Sequence, residues 1–268
     1  MNPATQTLPD VQEQVDGREV ALDEVGISGL SYPVRVLGPN GDSQNTVAEV
    51  EMTASLAAAV RGTHMSRFVE VLHDARERVT PATAVGMAQQ LRQCLDAGQA
   101  QVRLSFPLFV EREAPVSGKH SMLRLDCRFE AESTADGDTV RVGVTVPVTS
   151  LCPCSKEISD YGAHSQRGQI DIVVESPDGG RDTFSPHELL AVADDASSAP
   201  IIPLLKRADE RYLTMAAYDK PAFVEDLARD VAVALRADGR VAAFDIAVSN
   251  AESIHDHQAV ARVRWRRS

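Results

Sequence analysis

Apolar and polar residues alternate with a period of two through much of the chain, which is typical of half-buried β-strands. In the first half this pattern covers GLSYPVRVLG and TVAEVEMTASLAA, joined by the turn-forming residues PNGDSQN, and later QVRLSFPLFVERE and SMLRLDCRFEAES. Between these pairs, apolar residues at helical spacing predict helices over Ser66–Arg78 and Pro81–Asp96, with Thr80 as N-cap and Gly98 just beyond. The first half therefore has the predicted order β-β-α-α-β-β.

The second half repeats this order without obvious residue identity. Strands predicted in TVRVGVTVPVTS and QIDIVVES are followed by helices in SPHELLAVADDA and PAFVEDLARDVAVALRADG, and then by strands in RVAAFDIAVSN and AVARVRWRR. Paired helices between antiparallel strands indicate an α+β fold with helices on one face of each sheet. We predict a disordered leader over residues 1–17, a first module over 18–135 and a second module over 136–268.

Composition narrows the class of protein. The 268 residues include 39 acidic and 27 basic ones, and the net charge of -12 argues against a surface built to wrap nucleic acid. No run approaches the roughly 18 apolar residues that cross a bilayer, and the N-terminus has neither a basic start nor an apolar segment. We therefore expect a cytoplasmic protein with no membrane and no nucleic-acid partner. Four cysteines are too few and too unevenly spaced for a disulfide framework.

The segment SLCPCSKEISDYGAHSQRG, residues 150–168, contains Cys152, Cys154 and His164. It lacks the second ligand pair of a zinc finger, but a catalytic metal needs only about three protein ligands and an open position. One thiolate, one imidazole and a carboxylate from a distant segment would suffice. Two alternatives stay open: half-buried cysteines beside a hydrogen-bonded histidine, or redox chemistry of the two thiols, although no thioredoxin-like βαβ context surrounds them.

Charged residues in four other segments are further candidates. Each has a structural alternative, namely helix capping, an exposed charged turn, a favourable position at a helix start, or simple solvation. The candidates are His64 and Arg67 in GTHMSRF; Lys206, Arg207, Asp209 and Glu210 in LLKRADERY; Glu225 in KPAFVEDLARDVAVAL; and Glu252, His255 and His257 in NAESIHDHQA.

Five segments follow one another along the chain: GTHMSRF, SLCPCSKEISDYGAHSQRG, PLLKRADERY, AFVEDLARD and ESIHDH. In this order they resemble the type IB GTP cyclohydrolase I family, the metal-flexible class that starts folate synthesis. The resemblance implies a tandem tunnelling fold, with an antiparallel four-stranded sheet and two helices in each module. It also implies a homotetramer whose GTP sites lie between subunits. Two departures concern Ser165, where the family commonly has Asn, and SSAPIIPLLKR, which lacks a cysteine often found before the proline.

The family's functional positions can be carried over residue by residue. Cys152, His164 and Glu210 match the ligands of one divalent metal ion, such as zinc or manganese, and Cys154 is an alternative to Cys152 as ligand. Glu225 matches the glutamate that binds the purine through guanine N1 and N2. For the remaining roles, the resemblance implies proton transfer by His255, further active-site positions at Glu252 and Cys154, and triphosphate contacts from His64, Arg67, Lys156, Arg167, Lys206 and Arg207.

Two other functions are compatible with the same residues. A tunnelling-fold nitrile reductase would attack a deazaguanine nitrile through a lone cysteine thiolate, consume NADPH and need no metal. A non-enzymatic assembly protein would use the cysteine and histidine loop only to join subunits through a metal. Under the cyclohydrolase hypothesis, water adds to C8 of the guanine ring, formate leaves, and the ribose carbons close into 7,8-dihydroneopterin triphosphate.

Overall fold

One antiparallel sheet extends through both predicted modules. The structure, a computed structural model, describes residues 11–12, 14–38, 41–180 and 182–268, without the side chain of residue 178. Neighbouring strands follow the order β1-β2-β3-β4-β5-β6-β8-β9, and the short strand β7 pairs with β5. The strands are β1 (Leu22–Leu37), β2 (Ser43–Leu56), β3 (Gln99–Glu113), β4 (His120–Thr134), β5 (Asp138–Leu151), β6 (Ser165–Ser176), β7 (Ala199–Pro200), β8 (Ala243–Ala251) and β9 (Gln258–Arg266).

The helices pack on one face of this sheet and form the hydrophobic core with it. Alternate strand residues, such as Leu104, Phe129 and Val144, are buried beneath helix residues such as Leu91 and Leu227. This arrangement explains the period of two in the sequence, because successive side chains of a strand point to opposite faces. The helices are α1 (Met65–Ala75), α2 (Pro81–Cys94), α3 (Pro153–Ile158), α4 (Pro186–Ala196), α5 (Arg207–Asp219) and α6 (Val224–Ala237).

The predicted order β-β-α-α-β-β is confirmed in the first half and is extended in the second. Thr80 caps α2 as predicted, since its hydroxyl accepts a hydrogen bond from the Thr83 N–H. The segment LLKRADERY, for which an exposed charged turn was one interpretation, contains the start of helix α5. Residues 153–158, inside the predicted cysteine and histidine loop, form the short helix α3. Helix α6 begins at Val224, three residues after Pro221.

The predicted leader lies largely outside the described residues. Of its described part, the Asp16 N–H donates to the Ala59 carbonyl and the Arg61 N–H to the Gln14 carbonyl, at 3.0 and 3.1 Å. Val15 and Val60 form an antiparallel bridge. This stretch therefore pairs with the chain that follows β2. No described helix is both long and apolar enough to cross a membrane.

The hairpin formed by β3 and β4 diverges from β5 towards its tip. Pairing of β4 with β5 ends at Asp126 and Thr145. Three residues further along β5, at Val148 and Thr149, β7 takes the place of β4. The hairpin is held to the second module by Arg112, whose guanidinium donates two hydrogen bonds to the Asp194 carboxylate at the end of α4, at 2.6 and 2.9 Å. The two modules are therefore joined by side-chain contacts as well as by the sheet.

Candidate active site

Most of the predicted site residues lie at one end of the sheet. Because Leu151 pairs with Ser165 and Ala251 pairs with Gln258, the β5–β6 connection and the β8–β9 turn emerge side by side at this end. Arg167 pairs with Ala251, which places the two connections on adjacent strands. We call it the Cys152 end of the sheet. The tip of the β3–β4 hairpin lies at the same end.

Backbone hydrogen bonds close the β5–β6 connection and bring Cys152 next to His164. The Cys152 N–H donates to the His164 carbonyl at 3.1 Å. The Cys152 sulfur caps α3 by accepting a hydrogen bond from the Ser155 N–H at 3.4 Å. The Ser155 hydroxyl accepts from the His164 N–H at 3.1 Å. Two of the three predicted metal ligands are thus held on one short, internally bonded loop.

The His164 ring is oriented by two further contacts. Its Nδ1 lies 3.1 Å from Oε1 of Gln166 and 3.2 Å from Oγ of Ser253, in the β8–β9 turn. Gln166 is buried, with 7% of its surface exposed, so its amide oxygen is shielded from water. With the proton on Nδ1, the Gln166 oxygen accepts it and Nε2 keeps its lone pair. This is the usual arrangement by which a neighbouring acceptor prepares a histidine to bind a metal.

Helix α5 presents two consecutive acids with different surroundings. Glu210 is exposed, whereas Asp209 is completely buried, which corrects the exposed-turn interpretation of this segment. Burial alone would raise the pKa of Asp209, but the hydrogen bonds from Ser117, Lys206 and Val116 outweigh it and hold that pKa well below its usual range. Asp209 is therefore a structural carboxylate, and Glu210 is the acid available to a ligand.

A cavity of about 680 Å³ lies between α5 and the β5–β6 connection. Glu210 lines it from the helix, residues 161–163 line it from the loop, and Ser165 and Arg167 line it from β6. Its floor is apolar and includes Leu151 beside the Cys152 loop. Ligand pockets commonly occupy about 300–1000 Å³, so the space suits a molecule of nucleotide size.

The donor chemistry of Cys152, His164 and Glu210 fits a divalent ion, but their side chains are not gathered into a site here. Among the described residues, no three His, Cys, Asp or Glu side chains are grouped closely enough to hold a metal ion. Cys152 and His164 share the loop, while Glu210 lies on the wall of the adjoining cavity. Their joint ligation therefore stays a prediction.

The other predicted catalytic and purine-binding residues also surround the Cys152 end. Glu225 is exposed in the first turn of α6, and the start of that helix is held near β5 by a hydrogen bond from the Ala222 N–H to the Leu151 carbonyl, at 3.0 Å. Glu252 and His255 lie in the β8–β9 turn, where the His255 ring stacks on that of His257 with 5.0 Å between centroids.

The predicted triphosphate-binding cations separate into two groups. Four lie at the Cys152 end: Arg167 lines the cavity, Lys156 contacts the ring and carbonyl of Tyr218, and Lys206 and Arg207 begin α5. The other two, His64 and Arg67, follow β2, which ends at the opposite end of the sheet because Ala54 pairs with Ala100. Arg67 donates a hydrogen bond to the Cys94 carbonyl at the end of α2, whereas no described side chain caps the start of its own helix, α1.

Two residues have supporting roles that the sequence did not predict, although Asp209 was among the charged candidates. Gln166 and Asp209 are polar residues whose importance depends on what they touch, His164 in one case and the β3–β4 turn in the other. Gln166 could have been found from its spacing, because residues two apart in a strand share a face. Asp209 carries the weaker signal of an acid in the first turn of a helix.

Comparison with known proteins gives one consistent family. The chain matches the model described as type I GTP cyclohydrolase FolE2 over residues 8–261. A GTP cyclohydrolase FolE2 from Pseudothermotoga lettingae is 44% identical over 256 residues, covering 96% of this chain and 98% of the relative. Another from Desulfosudis oleivorans is 41% identical over 257 residues, covering 96% and 97%.

Solved structures with the same fold are uricases of very different sequence. The uricase from Arthrobacter globiformis aligns with a TM-score of 0.52 at 6% identity, covering 91% of this chain and 93% of that one. A uricase from Bacillus fastidious gives the same TM-score and the same coverage at 7% identity. These likenesses concern the fold alone, and they confirm the predicted α+β tandem tunnelling fold.

Proposed function

We propose that this chain, which belongs to the type I GTP cyclohydrolase FolE2 family, hydrolyses GTP to 7,8-dihydroneopterin triphosphate and formate. The family match along nearly the whole chain carries this proposal. The cavity supports it, because it is of nucleotide size, Glu210 lines it, and the loop that holds Cys152 and His164 adjoins it. The product would enter tetrahydrofolate synthesis.

Recognition of guanine is assigned to Glu225. Its carboxylate can accept two parallel hydrogen bonds, from N1–H and the exocyclic N2 amine of guanine, and adenine offers no such pair of donors. Arg167 on the cavity wall, with Lys206 and Arg207 at the start of α5, would contact the triphosphate. His64 and Arg67 could join them only from another subunit, since they lie at the far end of this chain's sheet.

Ring opening requires water at C8 and proton transfer to the ring nitrogens. A divalent ion held by Cys152, His164 and Glu210 would lower the pKa of water from 15.7 towards about 7 when bound. His255 would move protons at N7 or N9, because an imidazole ring carries one nitrogen that donates a proton and one that accepts. In the balanced reaction, two water molecules supply the two oxygens of formate. One water is released when the freed ring amine condenses with the carbonyl at ribose C2′, so that one water is consumed overall.

The mixed thiolate, imidazole and carboxylate donors also favour the metal-flexible type IB branch, because such a set accepts several divalent ions. We place the enzyme in the cytoplasm, where Cys152 and Cys154 stay reduced. We further propose a homotetramer with sites between subunits. The sheet edges support this proposal. In the described part of the chain, β1 and β9 each pair with one strand only, so both edges of the sheet are open to pairing with another copy.

The decisive experiment incubates the full chain with GTP and Mn²⁺ or Zn²⁺, and measures formate and the fluorescence of oxidised neopterin. We expect both products from the unaltered protein. Cys152→Ala should abolish them and leave the oligomer intact, whereas Cys94→Ala, which changes a cysteine at the far end of the sheet, should leave turnover unchanged. Cys154→Ala tests which thiol is the ligand.

Different results would favour the two rival functions. Consumption of NADPH with a deazaguanine nitrile, without formate from GTP, would establish the nitrile reductase instead. Dissociation of the oligomer in Cys152→Ala, together with absence of turnover in the unaltered protein, would establish the metal-joined assembly protein. Either outcome refutes the cyclohydrolase proposal.

A further inference from the structure

Asp209 makes more hydrogen bonds than the start of a helix needs. One carboxylate oxygen accepts from the N–H groups of Val116 and Ser117, both at 2.8 Å. The other accepts from the Ser117 hydroxyl at 2.6 Å and from the Lys206 N–H at 2.8 Å. Only the last of these bonds caps α5. The other three come from the tip of the β3–β4 hairpin, which is more than 90 positions earlier in the chain.

The receiving turn is itself well defined. The Ala114 N–H donates to the Lys119 carbonyl at 2.9 Å, and the Gly118 N–H donates to the Ala114 carbonyl at 3.0 Å. Gly118 has a φ of 63°, a conformation that glycine adopts without strain. The two backbone donors at Val116 and Ser117 are therefore presented in fixed directions, and the buried carboxylate that accepts them has little freedom.

Neighbouring residues of a helix point in different directions, about 100° apart. With Asp209 directed into the hairpin of the first module, Glu210 is directed to the wall of the cavity, opposite the loop that holds Cys152 and His164. Because α5 is joined to β7 through the irregular segment 201–206, the hydrogen bonds at its start help to fix this rotation.

We propose that Asp209 is a positioning residue, which fixes the start of α5 on the β3–β4 turn so that Glu210 is held where it can complete the metal site. The inference rests on the proposed function, since Glu210 is a metal ligand only under that function. Under this inference, the first module contributes to metal affinity through its β3–β4 turn, although no side chain of the first module is a metal ligand.

The test compares the metal affinity of three variants of the full chain. Asp209→Asn keeps the shape but turns an amide N–H₂ towards hydrogen-bond donors. Ser117→Ala removes one donor and leaves the buried carboxylate intact. Glu188→Gln is the matched control. Glu188 also caps a helix start, that of α4, but its side chain bonds to Ser185 and Arg240 and does not line the cavity.

Affinities for Zn²⁺ and Mn²⁺ are measured by competition with a chromophoric chelator, and folding is followed by circular dichroism. We expect Asp209→Asn to weaken metal binding by about 10- to 100-fold, the effect typical of residues that orient a ligand, and Ser117→Ala to weaken it less. Combining the two should cost less than the product of the single effects, because both act on one network. Glu188→Gln should bind metal within about two-fold of the unaltered chain, since it touches no residue that orients a ligand.

Unchanged metal affinity in Asp209→Asn and Ser117→Ala, with normal binding and turnover by the unaltered chain, would overturn this inference alone. Absence of metal binding and of formate release in the unaltered chain would overturn the proposed function and this inference together. If Asp209→Asn does not fold, Ser117→Ala decides the question by itself, because the carboxylate and its backbone donors remain in that variant.

Discussion

The ion pair between Arg112 and Asp194 should contribute strongly to stability, because it joins the two modules in a poorly solvated place. The side chains are only 15% and 17% exposed. Two hydrogen bonds connect them, and the remaining guanidinium nitrogen, Nε, is buried without a partner among the described residues. The Asp194 carboxylate is thus the main group that stabilises the largely buried positive charge of Arg112.

The size of the effect follows from this burial. Exposed ion pairs contribute about 0–1 kcal/mol, whereas removing one partner of a buried pair costs about 3–5 kcal/mol. Since this pair retains some solvent, we expect Asp194→Asn to lower the free energy of unfolding by about 2–3 kcal/mol. Arg112→Met combined with Asp194→Leu should recover part of that loss, because no buried charge is then left unpaired.

Urea unfolding monitored by circular dichroism measures the effect, at one fixed protein concentration because subunit association would also stabilise the fold. The control is Asp126→Asn, which breaks the pair with Arg124 at 62% and 64% exposure and should cost less than about 1 kcal/mol. Equal losses in Asp194→Asn and Asp126→Asn would refute the argument from burial.

Two further predictions concern groups remote from the site. Burial opposes ionisation of Glu188, but hydrogen bonds from Ser185 and Arg240 outweigh it and lower its pKa. Its contribution is therefore fully present above the unfolded pKa of about 4.3 and is lost as the pH falls through the lower folded pKa. Glu188→Gln should cost about 1 kcal/mol in urea unfolding at pH 7 and progressively less as the pH falls below about 4.3. The second prediction concerns the cysteines, because burial raises the pKa of the Cys127 thiol to about 12. Iodoacetamide at pH 8 should therefore modify the exposed Cys94 in the native protein, but should modify Cys127 only after unfolding. Peptide mass spectrometry measures the modification of each cysteine.

The strands were predictable because each has one face on the helices and one on solvent, and the alternation follows directly. Helix α5 was not, for a physical reason. Its buried residues are only Asp209 and Ala217, so the segment RADERYLTMAAYD carries no apolar stripe at helical spacing. It is held by hydrogen bonds at its start instead of by a hydrophobic face, and such bonds leave little pattern in the sequence.

The candidate site was predictable to the extent that it is local. Cys152 and His164 are close because they face each other where a hairpin closes, which a strand on each side already indicates. Whether Glu210 reaches them depends on how α5 is seated, and this cannot be inferred from spacing. The same holds for His64 and Arg67, since a strand-to-helix junction in the sequence does not reveal at which end of the sheet it lies.

The site lies where the two modules cease to be equivalent. In the first module, the connection between β1 and β2 spans residues 38–42 and α1 leads directly to α2. In the second, the corresponding strand connection spans residues 152–164, and α5 is inserted between the paired helices α4 and α6. These two additions face each other across the cavity. Because the additions lie outside the repeated β-β-α-α-β-β framework, their residues are free to be selected for chemistry, while the framework and the β3–β4 turn beneath α5 keep them in place.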